Sequence, residues 1–319
     1  MLSAILALSF SLFGLWLAGE LVVRYSLQLA YKAGLSTLFI GFFLISLSTG
    51  LPELSVVINA LWLGTPRLSV GDIMGSNFFD LAMGLGVPAL FIRPIIIARE
   101  GYAKTLIMLL STFTLMLFVL TRSTLHPWHG ILLIGTYMFI NWISYTLRSS
   151  QNNNLDARDR AKASFKHEPF LTSIIGTWAK LFAAIAVVLL SSNIAVSQAL
   201  LLADVFGYSI AHFGATFLAI GTSLPELTLT ISAVKNKEYD LALGNSFGSI
   251  WGQGGLLMGL LALLSPHPIE LGAIASIQPF VIAAYTIAAF FIIQKKQISR
   301  IGGLLLVASY ILFLLFELA

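Results

Sequence analysis

Two glutamates within long apolar stretches, Glu53 and Glu226, are the residues of this sequence best suited to chemistry. A hydroxyl residue precedes each by four positions, Thr49 in one case and Thr222 in the other, which places both oxygens on one helix face. Burying a carboxylate among apolar residues in a membrane is costly. Because neither stretch contains a Lys or Arg at the same depth, the two carboxylates are expected to face a bound cation.

A proline directly precedes each of these acids. Pro52 and Pro225 cannot donate a main-chain hydrogen bond to the carbonyl four residues earlier, here Ser48 or Gly221. In a membrane such a break is tolerated where the backbone is buried in protein or lines a cavity. An ordinary proline kink is the alternative, but its repetition beside a glutamate favours a binding site.

These features recur because the chain contains an internal duplication. Residues 41–80 return as 214–253 with a constant offset of 173 positions, and many of the identical residues are polar, Gly or Pro. The four-residue spacing of oxygen donors also recurs further along, as Ser76 with Asp80 and as Ser249 with Gln253. Each copy therefore offers two rows of oxygen donors on neighbouring helices.

Small and capping residues accompany the second row of each copy. Gly71 and Gly75 in the first copy, and Gly244 and Gly248 in the second, are expected to let the helices approach closely. Asp72 and its counterpart Asn245 lie near the predicted helix starts, where capping the helix is at least as good an interpretation as contact with an ion.

Composition defines the class of protein. Of the 319 residues, 58% are hydrophobic and only 10% are charged, against about a quarter charged in a soluble domain, so the chain is expected to span a lipid bilayer several times. The formal net charge of +4 does not indicate a nucleic-acid partner, because the basic residues cluster beside apolar segments. The absence of cysteine excludes disulfides and thiolate chemistry.

Ten segments are long and apolar enough to cross the membrane as helices. They lie near 2–22, 36–62, 70–92, 104–121, 127–146, 179–201, 209–234, 241–264, 271–294 and 301–318. The polar stretch 149–169 predicts a linker between a five-helix half at 1–148 and another at 170–319. With an odd number of spans in each half, the second copy enters the membrane inverted, which is typical of secondary transporters. The predicted fold is therefore an all-α membrane protein of two inverted five-helix repeats.

The basic residues predict the orientation of these spans. All but Arg67 and Arg122 of the 18 Lys and Arg residues fall on one side of the ten-span arrangement. The positive-inside rule makes that side cytoplasmic, together with the 149–169 linker, and puts both termini outside. Residues 2–22 lack a preceding basic segment and are interpreted as a retained span in what is expected to be a prokaryotic plasma membrane.

At these motifs the chain resembles the sodium/calcium exchanger family of the cation/Ca²⁺ antiporters. The resemblance rests on TGLPE and GTSLPE, followed by GDIMGSNFFD and GNSFGSIWGQ. It implies alternating-access cation exchange with Glu53 and Glu226 as ligands. The other positions that match the family's ligands are Thr49, Thr222, Ser223, Ser76 and Ser249, with the main-chain carbonyls of Ser46 and Ala219.

Three positions depart from the family pattern. Gly50 stands where a serine is usual, Asp80 where asparagine is frequent, and Gln253 where aspartate is common. The number of acids is kept but their placement is exchanged between the repeats. These departures leave the coupling ion and the stoichiometry open.

The donors of the predicted site are all oxygens, from Glu53, Glu226, Asp80, Gln253, hydroxyls and carbonyls. Such a set suits Ca²⁺ and also Na⁺, and does not suit Zn²⁺ or Cu⁺. The leading hypothesis is Na⁺-driven Ca²⁺ antiport by a monomer, with no covalent cofactor. Coupling to H⁺ or K⁺ on the same fold and a cation channel are the alternatives. An enzyme is the weakest reading, because no nucleophile elbow or phosphate loop accompanies the acids.

Overall fold

The computed structural model describes residues 1–32, 50–99, 101–148 and 174–318. Helices occur in the described part of every segment predicted to cross the membrane. In the first half they are α1 (Leu2–Lys32), α2 (Leu51–Trp62), α3 (Pro66–Phe91), α4 (Tyr102–Leu120) and α5 (Pro127–Arg148). In the second half they are α6 (Ile174–Phe206), α7 (Ile210–Thr222), α8 (Leu224–Lys235), α9 (Tyr239–Leu264), α10 (Gly272–Lys295) and α11 (Arg300–Leu318).

By length and apolar composition, seven of the described helices can cross a membrane alone. An eighth span results if α7 and α8, which meet at a bend of 46°, count as one broken span. Helix α5 is 22 residues long but is not among the seven, and α2 has only 12 residues. The first part of the predicted 36–62 span lies outside the described residues, as does the 149–169 linker.

Four of the described helices contain a wider, π-helical turn. These turns are Asp80–Gly84 in α3, Gly214–Leu218 in α7, Gly252–Leu257 in α9 and Phe291–Lys295 in α10. The turns in α3 and α9 contain the repeat-related residues Asp80 and Gln253. A π-turn locally changes the register of side chains around a helix and is frequent at functional sites.

Two short antiparallel β-ribbons tie the halves together. Strand β1 (Ile95–Ile96) pairs with β4 (Gln297–Ile298), and β2 (Thr124–Leu125) pairs with β3 (Ile269–Glu270). Adding 173 to the residue numbers of β2 gives those of β4, and adding it to those of β1 gives numbers within one residue of β3. The duplication therefore relates one ribbon to the other. Because α4 runs from β1 to β2, the ribbons lie at opposite ends of the bundle, as an inverted repeat requires.

The buried apolar side chains form two clusters. The larger includes residues of α3, α4, α9, α10 and α11, for example Phe78, Phe247 and Phe313. The second consists mainly of α1 and α6 side chains such as Leu15 and Val196, with a few from α2, α3 and α7. Helices α1 and α6 pack on each other more extensively than any other described pair. They therefore form a pair set against the remaining bundle.

The backbones of α3 and α7 touch where they cross. A Cβ on Gly71 would lie 1.9 Å from the Ala211 carbonyl oxygen, and one on Gly75 would lie 2.2 Å from that of Ala215. The expected close approach is thus confirmed for these two glycines. For Gly244 and Gly248, no described atom lies within 4 Å of the equivalent position, so the described residues leave the expected contact untested. The segment that repeat symmetry pairs with them, before residue 50, is outside the described residues.

We expect Gly75→Ala to destabilise the protein, because the new methyl group would overlap main-chain atoms that cannot rotate away. The loss should be about 1–3 kcal/mol, the usual cost of overpacking, and is measured as a lower thermal unfolding midpoint in detergent. The control is Gly135→Ala at an exposed position of α5, where no described atom lies within 4 Å of the added methyl group and the midpoint should not fall. Equal midpoints for Gly75→Ala and wild type would contradict this account of the crossing.

Candidate cation site

Glu53 and Glu226 occupy the same position in α2 and α8, the third residue of each helix, directly after the proline. Both are buried, with 0% and 2% of their surface exposed. The first main-chain bonds of the two helices run from Leu54 to Gly50 and from Leu227 to Ser223. Each carboxylate is therefore at a helix N-terminus inside the protein, where the positive end of the helix dipole favours negative charge.

Helix α3 contributes a row of oxygen donors to the same region. Asp72, Ser76 and Asp80 follow one another at intervals of four residues, and all three are buried. In α9 the repeat-related row is Asn245, Ser249 and Gln253, of which only Gln253 is fully buried. The two rows differ in charge, because the first carries two carboxylates and the second none.

The amide of Gln253 joins two of the acids. Its Nε2 atom lies 3.3 Å from Glu53 Oε1 and 3.3 Å from Asp80 Oδ2, and it donates to both. Glu53 also lies within electrostatic range of Glu226 and Asp72. Carboxylates from α2 and α3 and an amide from α9 therefore meet, although Gln253 is 200 residues from Glu53 in the sequence.

A second group of polar side chains forms between α3 and α7. Thr222 Oγ1 donates to Asp72 Oδ1 at 3.0 Å, and Ser76 Oγ lies 3.2 Å from the same hydroxyl. The carbonyl of Ala219 accepts from the Ser223 main-chain N–H at 3.1 Å and lies 3.3 Å from Thr222 Oγ1. The Ala219 oxygen thus already has a protein donor, the Ser223 N–H.

Several buried oxygens of this region have no hydrogen-bond partner in the described protein. They are Glu53 Oε2, Asp72 Oδ2, Asp80 Oδ1, both carboxylate oxygens of Glu226, Ser223 Oγ and Gln253 Oε1. Buried polar atoms are nearly always paired, so a concentration of orphaned acceptors points to a cation or water. No Lys or Arg is buried among the described residues, which leaves a cation as the natural partner of these acids.

The predicted ligands are not all gathered in one place. Glu53, Asp80 and Gln253 are in contact, as are Ser76 and Thr222, whereas Ser249 is only half-buried. Thr49 and Ser46 lie outside the described residues. Within the described ranges no three Asp, Glu or His side chains form a metal-binding cluster by themselves. Hydroxyl, amide and carbonyl oxygens would have to complete any coordination shell.

The capping role expected for Asp72 and Asn245 is wrong. Helix α3 begins at Pro66 and α9 at Tyr239, so both residues lie inside their helices. Asn245 instead donates from Nδ2 to the Glu226 carbonyl at 3.0 Å and to Thr230 Oγ1 at 2.9 Å. Asp72 joins the polar region through Thr222. Its four-residue spacing from Ser76 and then Asp80 was the sequence signal for that placement.

We expect Gln253→Leu to destabilise the protein when Na⁺ and Ca²⁺ are absent. Without the amide, Glu53 and Asp80 lose the donor that lies between them, at a cost of about 1–3 kcal/mol for unsatisfied buried groups. Thermal unfolding in cation-free buffer measures the effect, and Gln294→Leu at an exposed position of α10 is the control. A Gln253→Leu midpoint no lower than that of Gln294→Leu would rule out a bridging role.

Comparison with known proteins agrees with this geometry. The family model described as sodium/calcium exchanger protein matches residues 3–146 and 176–319. A putative antiporter, CaxA, from Alkalimonas amylolytica is 28% identical over 93% of this chain and 92% of its own length. The sodium/calcium exchanger MaX1 from Methanosarcina acetivorans is 26% identical, with 92% of each chain covered.

The fold also matches that of a solved exchanger. A structure of the sodium-calcium exchanger NCX_Mj, soaked with 10 mM Na⁺ and zero Ca²⁺, superimposes with a TM-score of 0.63 at 22% identity. The match covers 98% of both chains. Since the family model accounts for nearly all of both halves, this chain is an integral membrane protein that belongs to the sodium/calcium exchanger family of antiporters.

Proposed function

We propose that this protein is a secondary active antiporter that exchanges Na⁺ for Ca²⁺ by alternating access. The observation that carries the proposal is the group of buried carboxylates around Glu53, which includes Asp80 and Glu226 and has no buried basic partner among the described residues. The name of the relative MaX1, a sodium/calcium exchanger, supports the choice of ions.

Exchange follows from competition for the same oxygens. One Ca²⁺ or several Na⁺ ions can neutralise the carboxylates of Glu53, Asp80 and Glu226. Once either is bound, neither space nor uncompensated negative charge remains for the other. Hard carboxylate, hydroxyl and amide oxygens are suitable ligands for both ions. An ion-free site retains uncompensated charge and resists enclosure, whereas a loaded site can be closed from either side.

The moving element in this proposal is the α1–α6 pair. Its side chains make up most of an apolar cluster that is separate from the larger core, so it can slide without breaking that core. It also contacts the broken helices, because the Leu12 side chain of α1 packs directly against Gly221 beside the break. The position of α1 is thereby linked to the backbone that carries Thr222 and Glu226.

The membrane arrangement is part of the proposal. Residues 1–148 and 170–319 form the two inverted halves, the 149–169 linker is cytoplasmic, and both termini are outside a prokaryotic plasma membrane. The distribution of Lys and Arg residues supports this orientation.

Ca²⁺/H⁺ antiport on the same fold is the second candidate. The observation that favours it is Gly50, which brings no hydroxyl where the family usually has a serine, so that a Na⁺ ligand is lost. A site with fewer Na⁺ ligands can instead bind protons on its carboxylates. An imposed pH gradient without Na⁺ would then drive Ca²⁺ uptake, and a Na⁺ or K⁺ gradient alone would not.

We expect Glu53→Gln and Glu226→Gln each to abolish Ca²⁺ uptake into proteoliposomes driven by an outward Na⁺ gradient. Each substitution keeps the side-chain shape and removes a negative charge from the site, so uptake should fall at least about a hundredfold, as for loss of a buried charged ligand. Glu238→Gln, at an exposed turn, is the control and should transport normally. Wild-type uptake by either site variant would refute the assignment.

A second experiment tests the proposed sliding and uses the absence of cysteine in the chain. Asn59 of α2 is hydrogen-bonded to Ser192 of α6 at 3.2 Å, so joining cysteines at 59 and 192 with a short thiol reagent should stop transport. Joining cysteines at 14 and 191 should leave transport intact, because both lie within the α1–α6 pair, where a Cβ on Gly14 is 3.4 Å from Ser191 Cβ. Reduction should restore transport to the first pair if the reagent is cleavable. Full transport by the cross-linked 59/192 protein would show that α6 does not move against α2.

A further inference from the structure

Asp72 is a fourth buried acid of the polar region, and the oxygen ligands predicted from the sequence do not include it. Its exposed fraction is 0%, and its Oδ2 atom has no hydrogen-bond partner in the described protein. No described Lys or Arg is buried near it. An ionised carboxylate in such a place needs a positive partner to compensate for lost hydration.

The other oxygen of Asp72 is engaged with the candidate ligands. Thr222 has one hydroxyl hydrogen, and its possible acceptors are Asp72 Oδ1 at 3.0 Å, Ser76 Oγ at 3.2 Å and the carbonyls of Leu218 and Ala219 at 3.3 Å. A carboxylate is the stronger acceptor, so the hydrogen points to Asp72. The lone pairs of Thr222 are then free to face Ser76, 3.2 Å away, or a cation.

The repeat-related position shows that this arrangement is specific to one half. Asn245 takes the place of Asp72 in the second repeat, and its amide is used to bond the Glu226 carbonyl and Thr230. That role is neutral and stabilises the backbone of α8. Helix α3 therefore supplies a carboxylate where α9 supplies an amide, and the two rows differ by one charge at this position.

We infer that Asp72 belongs to the cation site, where it acts with Thr222 and Ser76 to favour a monovalent cation on the α3 side. One carboxylate combined with neutral hydroxyl oxygens matches a single positive charge, whereas Ca²⁺ sites collect several carboxylates. The added charge on this side also offsets the ligand that Gly50 fails to supply in the first repeat. This inference deepens the proposed function and rests on it.

The substitution Asp72→Asn distinguishes the effect of the Asp72 charge from that of its hydrogen bond to Thr222. Asparagine has nearly the same shape and can still accept the Thr222 hydrogen bond through its side-chain oxygen. If Asp72 only holds Thr222 in place, the variant should behave as wild type. If its charge serves the cation, the concentration of Na⁺ needed for half-maximal effect should rise at least about tenfold, which corresponds to about 1.4 kcal/mol.

The test uses the full-length protein in two assays. The first measures the thermal unfolding midpoint in detergent against Na⁺ and, separately, Ca²⁺ concentration, and needs no transport. The second measures Ca²⁺ uptake into proteoliposomes against internal Na⁺ concentration. We expect the Na⁺ dependence of Asp72→Asn to shift in both assays, while the Ca²⁺ dependence shifts less. Asp240→Asn, an exposed acid at the start of α9, is the matched control and should shift neither.

The outcomes separate this inference from the proposed function. A wild-type protein that is stabilised by Na⁺ and Ca²⁺, with an identical response from Asp72→Asn, would overturn the role of Asp72 alone. A wild-type protein that responds to neither ion would overturn both. Asp72→Ser, which also removes the charge but supplies a hydroxyl oxygen, should show the same Na⁺ shift as Asp72→Asn. A wild-type response from that second variant would likewise refute the role of charge.

Discussion

A carboxylate inside a bilayer must be protonated, paired or bound to a cation, because the surrounding hydrocarbon cannot solvate it. This chain buries Glu53, Asp72, Asp80 and Glu226, and none of the described buried side chains is a Lys or Arg. The structure instead surrounds these acids with other oxygens and with the donor amide of Gln253. The local structure of the surrounding helices accommodates this group of buried acids.

Helix N-termini inside the protein are the first feature that meets this constraint. The prolines before Glu53 and Glu226 are the second residues of α2 and α8, so each acid sits at a positively polarised N-terminus. The π-turns at Asp80 and Gln253 change the local helix register at the residues that contact each other. The glycines of α3 then allow it to approach α7 closely enough for Ser76 and Thr222 to meet. These local irregularities of the helices therefore help to bring the polar side chains together.

The internal duplication makes the framework of helices and ribbons symmetric, whereas the rows of oxygen donors are asymmetric. The two β-ribbons are exchanged by the repeat shift and hold the halves together at both ends. The oxygen rows are unequal, because Asp72 and Asp80 in α3 correspond to Asn245 and Gln253 in α9. An inverted pair of identical rows would present the same charge to both sides of the membrane. In this chain both carboxylates of the two rows lie on α3.

Sequence alone determined the class of protein, the duplication, the positions of the helices and the hard-oxygen character of the candidate site. These conclusions depend on composition and on spacing within one segment, which persist in any arrangement of the chain. Only the tertiary structure decided which copies meet. Gln253 lies between Glu53 and Asp80, and Asp72 accepts from Thr222 150 residues away. The tertiary structure also excluded a helix-capping role for Asp72, because the residue at which α3 begins depends on where the chain turns. The residues of two similar motifs do not determine whether a side chain contacts its own motif or the other one. That choice depends on how the helices of both halves pack.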